Sequence, residues 1–228
     1  MPQSMTQSMP QSMTRSMMSP ARMEAFSDGV MAIIITIMVI ELKVPPKDGL
    51  AGLWIVLPTL AVYLLSFLQT GIYWINHHYL MDDVRNVSHS ILWSNLMLLF
   101  TLSLIPFATA WVEAKGLGGA DTAIYATTCL LPALSFALLW AAIRSSNPGS
   151  KAVGGWKKLF GSAALYLVAI PTAFWHPAAS LLLVAAVAVV WMLPPRPDHR
   201  KKSSARPAPK AIPPQPPPTP QRPQPPPE

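Results

Sequence analysis

Hydrophobic and polar positions fall into long blocks along this chain and do not alternate. Six apolar stretches lie between Arg22 and Leu193, at approximately 26–44, 51–74, 90–111, 121–143, 158–175 and 177–193, each bounded by polar residues, prolines or glycines. A helix of about 20 apolar residues crosses a bilayer, so the pattern predicts an all-α, polytopic membrane protein with six transmembrane helices. The last two stretches are short, meet at His176-Pro177 and read as a hairpin; a five-segment reading takes them as one interrupted element. Residues 1–21 repeat Met, Pro or Thr, Gln or Arg, and Ser with no apolar run, and read as a disordered N-terminal arm. Residues 194–228 hold 15 of the 26 prolines and read as a proline-rich disordered tail, leaving 22–193 as the membrane domain.

Composition sharpens this division. Only 12% of the 228 residues are charged, about half the share of a soluble domain, which argues against an ordinary soluble enzyme. The net charge of +7 sits in loops and tails beside the bilayer, so it points to the membrane surface and not to a nucleic acid. All eight tryptophans fall near expected helix ends, as an interfacial belt requires. With the N-terminus inside, 14 Lys and Arg residues lie on the inner side and only Lys43, Lys47 and Lys115 on the outer. Both termini are therefore expected in the cytoplasm. A single cysteine, Cys129, excludes an internal disulfide and a Cys-built zinc site.

The first apolar stretch carries the chemistry. From Gly29 to Ile40 it has only 12 uncharged residues, about 18 Å of helix. A hydrocarbon core is about 30 Å thick, so spanning it draws Phe26, Ser27 and Asp28 toward the membrane. An ionisable group there requires a partner. Arg22, six residues earlier, lies off its helical face, so another helix or another subunit is expected to supply one. At 100° per residue, Phe26, Gly29, Val30, Ile33, Thr36, Ile37, Ile40 and Val44 share one face, while Ser27 and Asp28 point away from it. The stripe reads as lipid contact or helix packing on one account and as a pore wall on the other, and periodicity alone does not separate them. Adjacent His77 and His78 end the second stretch and must face different sides, so one can enter the bundle. With Asn95 of the third stretch, His77, Ser27 and Asp28 can form one polar cluster at the same end.

Other chemistry is absent from the pattern. No phosphate-binding, nucleophile-elbow or HExxH motif is present. The run His77-His78-xxx-Asp82-Asp83 supplies too few convergent ligands for a metal centre in a chain with five histidines. No arginine ladder and no TVGYG-like carbonyl filter occurs.

Arg22-xxx-Phe26-Ser27-Asp28-Gly29, Trp74-xx-His77-His78, and Trp93-x-Asn95 with Leu104-x-Pro106-Phe107 together resemble the transmembrane protein 175 family of potassium channels, by motif over 22–110 and by helix count over 22–193. The resemblance implies a non-enzymatic, potassium-permeable cation channel needing no cofactor, a homotetramer in which the first helix lines a central pore. It places the principal hydrophobic constriction on Ile33, with further layers at Thr36 or Ile37 and at Ile40. It also implies that Arg22, Phe26, Ser27, Asp28, His77 and Asn95 brace the pore helix without touching the ion. A single six-helix unit implies a prokaryotic plasma membrane protein. The rival reading is a secondary, proton-coupled transporter, which calls for an ionisable residue near the midplane and discontinuous helices.

Overall fold

A computed structural model of the chain describes residues 18–45, 47–82, 84–148 and 155–193. The arm's first 17 residues and the tail from 194 onward lie outside the described residues. Seven helices follow in order: α1 Pro20–Ile40, α2 Gly49–Met81, α3 His89–Ser103, α4 Ile105–Lys115, α5 Gly119–Ser146, α6 Trp156–Trp175 and α7 Pro177–Met192. Taken as one stretch, α3 and α4 form a fifth long apolar element beside α1, α2, α5 and α6, and α7 is a shorter apolar helix of 16 residues. The described chain is thus all-helical, with five elements long and apolar enough to cross a membrane and α7 as the shorter sixth apolar segment.

Three boundaries depart from the hydrophobic pattern for local reasons. The first helix stops at Ile40, so Val44 lies beyond it and does not extend the aliphatic face. Val44 precedes Pro45, and a residue before proline is pushed out of the helical region. The third span breaks at Leu104, because Pro106 has no N–H to return to the carbonyl of Leu102. Leu104 N instead reaches back one residue less, to Thr101 O at 3.3 Å. The second helix continues seven residues past the apolar stretch to Met81, because Asn76, His77, Leu80 and Met81 are all buried there.

Within the protomer α5 is the hub, packing on α3, α4, α6 and α7, whereas α1 lies at the edge against α2, α3 and α4. One apolar cluster joins Met31, Ile34 and Met38 of α1 to Leu80, Leu98, Leu102, Phe136 and Leu139. A second joins Val62, Val112, Tyr125, Cys129, Tyr166 and Val184. The helices come close where side chains are small: a methyl group on Gly119 would sit 3.1 Å from Phe174 Cα.

Lipid offers no partners to polar groups, so hydroxyls buried between the helices must find them within the protein. Ser66 Oγ is such a node, 2.8 Å from Thr109 Oγ1, 2.9 Å from Tyr125 OH and 3.0 Å from Val62 O. The α6–α7 hairpin is tied twice, by Ser180 Oγ to Ala169 O at 2.8 Å and Trp191 Nε1 to Ser162 Oγ at 2.7 Å. Asn147, at the end of α5, accepts from the N–H groups of Arg85 and Asn86 and so fixes the α2–α3 turn. Ser66→Ala takes a partner from the buried Tyr125 and Thr109 hydroxyls, of which Thr109 keeps Ile105 O at 2.8 Å, and is expected to lower stability by about 1 kcal/mol. Denaturation in mixed micelles checks this, with exposed Ser103→Ala as the control that leaves it unchanged.

Candidate functional site

The two sides of α1 have opposite character. Ser19 caps its start, accepting from Arg22 N at 3.4 Å, and Pro20 occupies the first turn, where its missing N–H costs nothing. Met23, Ser27, Met31, Ile34 and Met38 recur at intervals of three and four and are buried against the bundle. Phe26, Gly29, Ile33, Thr36, Ile37 and Ile40 lie on the other side and are exposed. Ile33 is 60% exposed and Ile40 74%. Val30, at the margin, leans on the core. A methyl on Gly29 would meet nothing within 4 Å, so this glycine makes no close helix contact within the protomer. Thr36 Oγ1 donates to Ala32 O at 2.8 Å, which commits its proton and leaves its lone pairs facing outward.

The inner side is fastened by hydrogen bonds of defined direction. Ser27 Oγ donates to Met23 O at 2.9 Å, so it accepts from Asn95 Nδ2, also at 2.9 Å. Asn95 Oδ1 then faces His77 Nε2 at 2.8 Å, which selects the tautomer with its proton on Nε2. The amide of Asn95 is thus the central link from α1 through α3 to α2. Ser27 and His77 are fully buried and Asn95 nearly so.

Two further bonds cross from α1 to α2 alone. Trp74 Nε1 donates to Asp28 Oδ1 at 2.9 Å, and His78 Nδ1 lies 2.7 Å from Glu24 Oε1. Asp28 therefore takes its partner from another helix of the same protomer and is not joined to Ser27, His77 and Asn95 in one cluster. His77 enters the bundle while His78 stays exposed, the split that adjacent positions impose. Among the described residues no bond engages the Arg22 guanidinium, and Phe26 is 56% exposed on the same side as Ile33. The sequence reading missed Glu24 and Trp74 as fastening groups. Their signal is the spacing: Glu24 and Asp28 are four apart, as are Trp74 and His78, so two antiparallel helices meet twice in register.

Residues 22–106 match the family described as endosomal/lysosomal potassium channel TMEM175. A potassium channel of Chryseobacterium sp. (strain P1-3) is 41% identical over 193 residues, covering 83% of this chain and 99% of that one. The chain belongs to the TMEM175 family. A Streptomyces collinus potassium channel is 38% identical over 52% of this chain and 62% of its own length. The crystal structure of a lysosomal potassium-selective channel TMEM175 homolog from Chamaesiphon minutus superposes with a TM-score of 0.68 at 30% identity. It covers 76% of this chain and 96% of that one. The matched segment takes in α1 from Arg22 onward together with Trp74, His77 and Asn95.

Removing the central amide is expected to cost more than removing either neighbour. Asn95→Leu leaves His77 Nε2 buried without a partner and reduces Ser27 Oγ to its bond to Met23 O, a loss of about 2–3 kcal/mol. Asp28→Asn keeps an oxygen for Trp74 and is expected to be tolerated, whereas Asp28→Leu loosens α1. Thermal denaturation of the purified variants in detergent, read by intrinsic fluorescence, ranks them.

Proposed function

We propose that this protein is a potassium channel whose pore is formed by α1 from four copies of the chain. The observation carrying this reading is the exposed aliphatic face of α1, set opposite a face that hydrogen bonds fix to the bundle. A stripe that merely contacted lipid would not call for three separate polar attachments behind it. The relatives' names as potassium channels supply the ion.

In this reading Ile33 forms the principal hydrophobic constriction. Four isoleucines around an axis exclude most hydrated ions and can close the path by dewetting. Potassium gives up its hydration shell at lower cost than sodium, so partial dehydration alone prefers it. Thr36, its proton committed to Ala32 O, presents only acceptor oxygens and can compensate a partly dehydrated cation. Ile37 and Ile40 continue the lining toward the other mouth. Arg22, Phe26, Ser27, Asp28, His77 and Asn95 hold or flank α1, with Arg22 and Phe26 placed where a second subunit would meet them. No resident cofactor is required, and potassium is the permeant species. The protein resides in the plasma membrane with both termini in the cytoplasm.

The transporter reading has less support. The helix break at Leu104 has no ionisable neighbour in sequence, and Asp28, though well inside α1, is already bonded to an indole of the same protomer.

Potassium flux into liposomes tests the proposal. Wild-type protein is expected to give rapid passive flux that falls when sodium replaces potassium. Ile33→Asn is expected to raise the flux several-fold and to narrow the difference between the two ions. Flux that requires a proton or sodium gradient would make the protein a transporter, and an unaltered Ile33→Asn variant would move the constriction elsewhere.

A further inference from the structure

The end of the bundle where α5 finishes and α6 begins carries three cations that the conduction path does not use: Arg144, Lys157 and Lys158. Each lies over an indole. Arg144 Cζ is 4.8 Å from the Trp140 ring centroid, Lys157 Nζ is 5.9 Å from Trp156, and Lys158 Nζ is 4.5 Å from Trp191. Two of these indoles belong to the apolar cluster containing Ile143 and Leu159, so the charges on α5 and α6 crown the same packed unit.

The platform under Lys158 is rigid. Trp191 donates to Ser162 Oγ at 2.7 Å and stands edge-on to Phe136 with centroids 5.9 Å apart. Lys158 Nζ also donates to Leu193 O at 3.4 Å, which holds the ammonium at the end of α7.

None of the three cations has a carboxylate within ion-pair distance; among the described residues the one such contact is His78 with Glu24. Glu41, Glu113 and Asp121 lie at the opposite end, where α1 and α4 finish and α5 starts. Asp82 is at the same end as the cations but pairs with none of them. Among the described residues the charges therefore stand without an ion-paired counter-charge.

We propose that Arg144, Lys157 and Lys158, with Trp156 and Phe160 beside them, form a binding surface for the headgroup of an anionic phospholipid. The choice of a lipid over free phosphate follows from what adjoins the charge. Trp156 is 58% exposed and Phe160 68%, and their rings pack edge to face one turn apart on the exposed side of α6. The cations take the phosphodiester, and this aromatic wall takes the glycerol and the first methylenes of the acyl chain. A soluble anion would engage the charges and leave the wall unused. Tryptophan at this height and unpaired basic groups at a span's end both match the interfacial layer of a bilayer. The surface involves no residue of α1 and does not depend on which ion the protein conducts.

Binding of a fluorescent short-chain phosphatidylglycerol to the full-length protein in neutral detergent, against the phosphatidylcholine analogue, tests the assignment. Wild-type protein is expected to prefer phosphatidylglycerol by about tenfold. Arg144→Gln/Lys157→Gln/Lys158→Gln is expected to abolish the preference, while Lys157→Arg/Lys158→Arg retains it. Trp156→Ala/Phe160→Ala is expected to weaken both lipids, with the charge preference intact. Should the triple variant fail to fold, Lys158→Gln alone is expected to reduce the preference at least twofold. Equal affinity for the two lipids in the wild type, or an unchanged preference in a folded triple variant, would overturn the proposal. Displacement of phosphatidylglycerol by millimolar inorganic phosphate, with no effect of Trp156→Ala/Phe160→Ala, would overturn the lipid assignment in favour of a phosphate site.

Discussion

The amide of Asn95 governs the arrangement of this bundle. It accepts from His77 and donates to Ser27, and it does so where both neighbours are shut away from solvent. In such a medium a hydrogen bond is strong, and an unmade one is correspondingly expensive. The link therefore fixes the rotation of α1 about its own axis as well as its position. A rotation by one residue, 100°, would carry Ser27 out of reach and turn the aliphatic stripe into the bundle. Because one side of α1 satisfies this bond, the other is free to be mainly aliphatic, with Thr36 as its one hydroxyl.

Packing around that link is uneven. Cluster and contact both place α5 at the centre of the protomer and α1 at its margin, held by fewer neighbours. A marginal helix on a polar pivot is oriented without being enclosed. That suits a role in which its outer face belongs to an assembly, and the bond pairs Glu24–His78 and Asp28–Trp74 add attachment where apolar contact is sparse.

Much of this was legible in the sequence because lipid imposes strong rules. Six spans follow from run length, and the split between Ile33 and Ser27 follows from 3.6-residue periodicity and chain order. The pairing of Ser27, His77 and Asn95 was readable as well, since few polar residues occupy that end and each needs a partner. Three features were not. The break at Leu104 depends on which carbonyls Pro106 strands, and membrane helices often absorb a proline without breaking; Pro58, Pro132 and Pro171 lie inside continuous helices. The extension of α2 to Met81 is set by burial of Asn76 and Leu80, which hydropathy does not register. The choice of Trp74 for Asp28 turns on the register between α1 and α2, which no single helix encodes.

The length of α2 has a consequence beyond packing. At 33 residues it measures about 50 Å, against a hydrocarbon core of about 30 Å. Even a tilt of about 40°, the upper end of the common range, leaves several ångströms over. The surplus falls naturally at the end carrying Asn76, His77 and His78, which acts as a rigid post rising out of the lipid. The outer bond from that post to α1, His78 to Glu24, then stands at the water boundary while the inner one, through Asn95, stays dry. The helix with the exposed aliphatic face is thus hung from a support with one foot in each solvent, and the ionic composition of the aqueous phase acts on the first attachment without reaching the second.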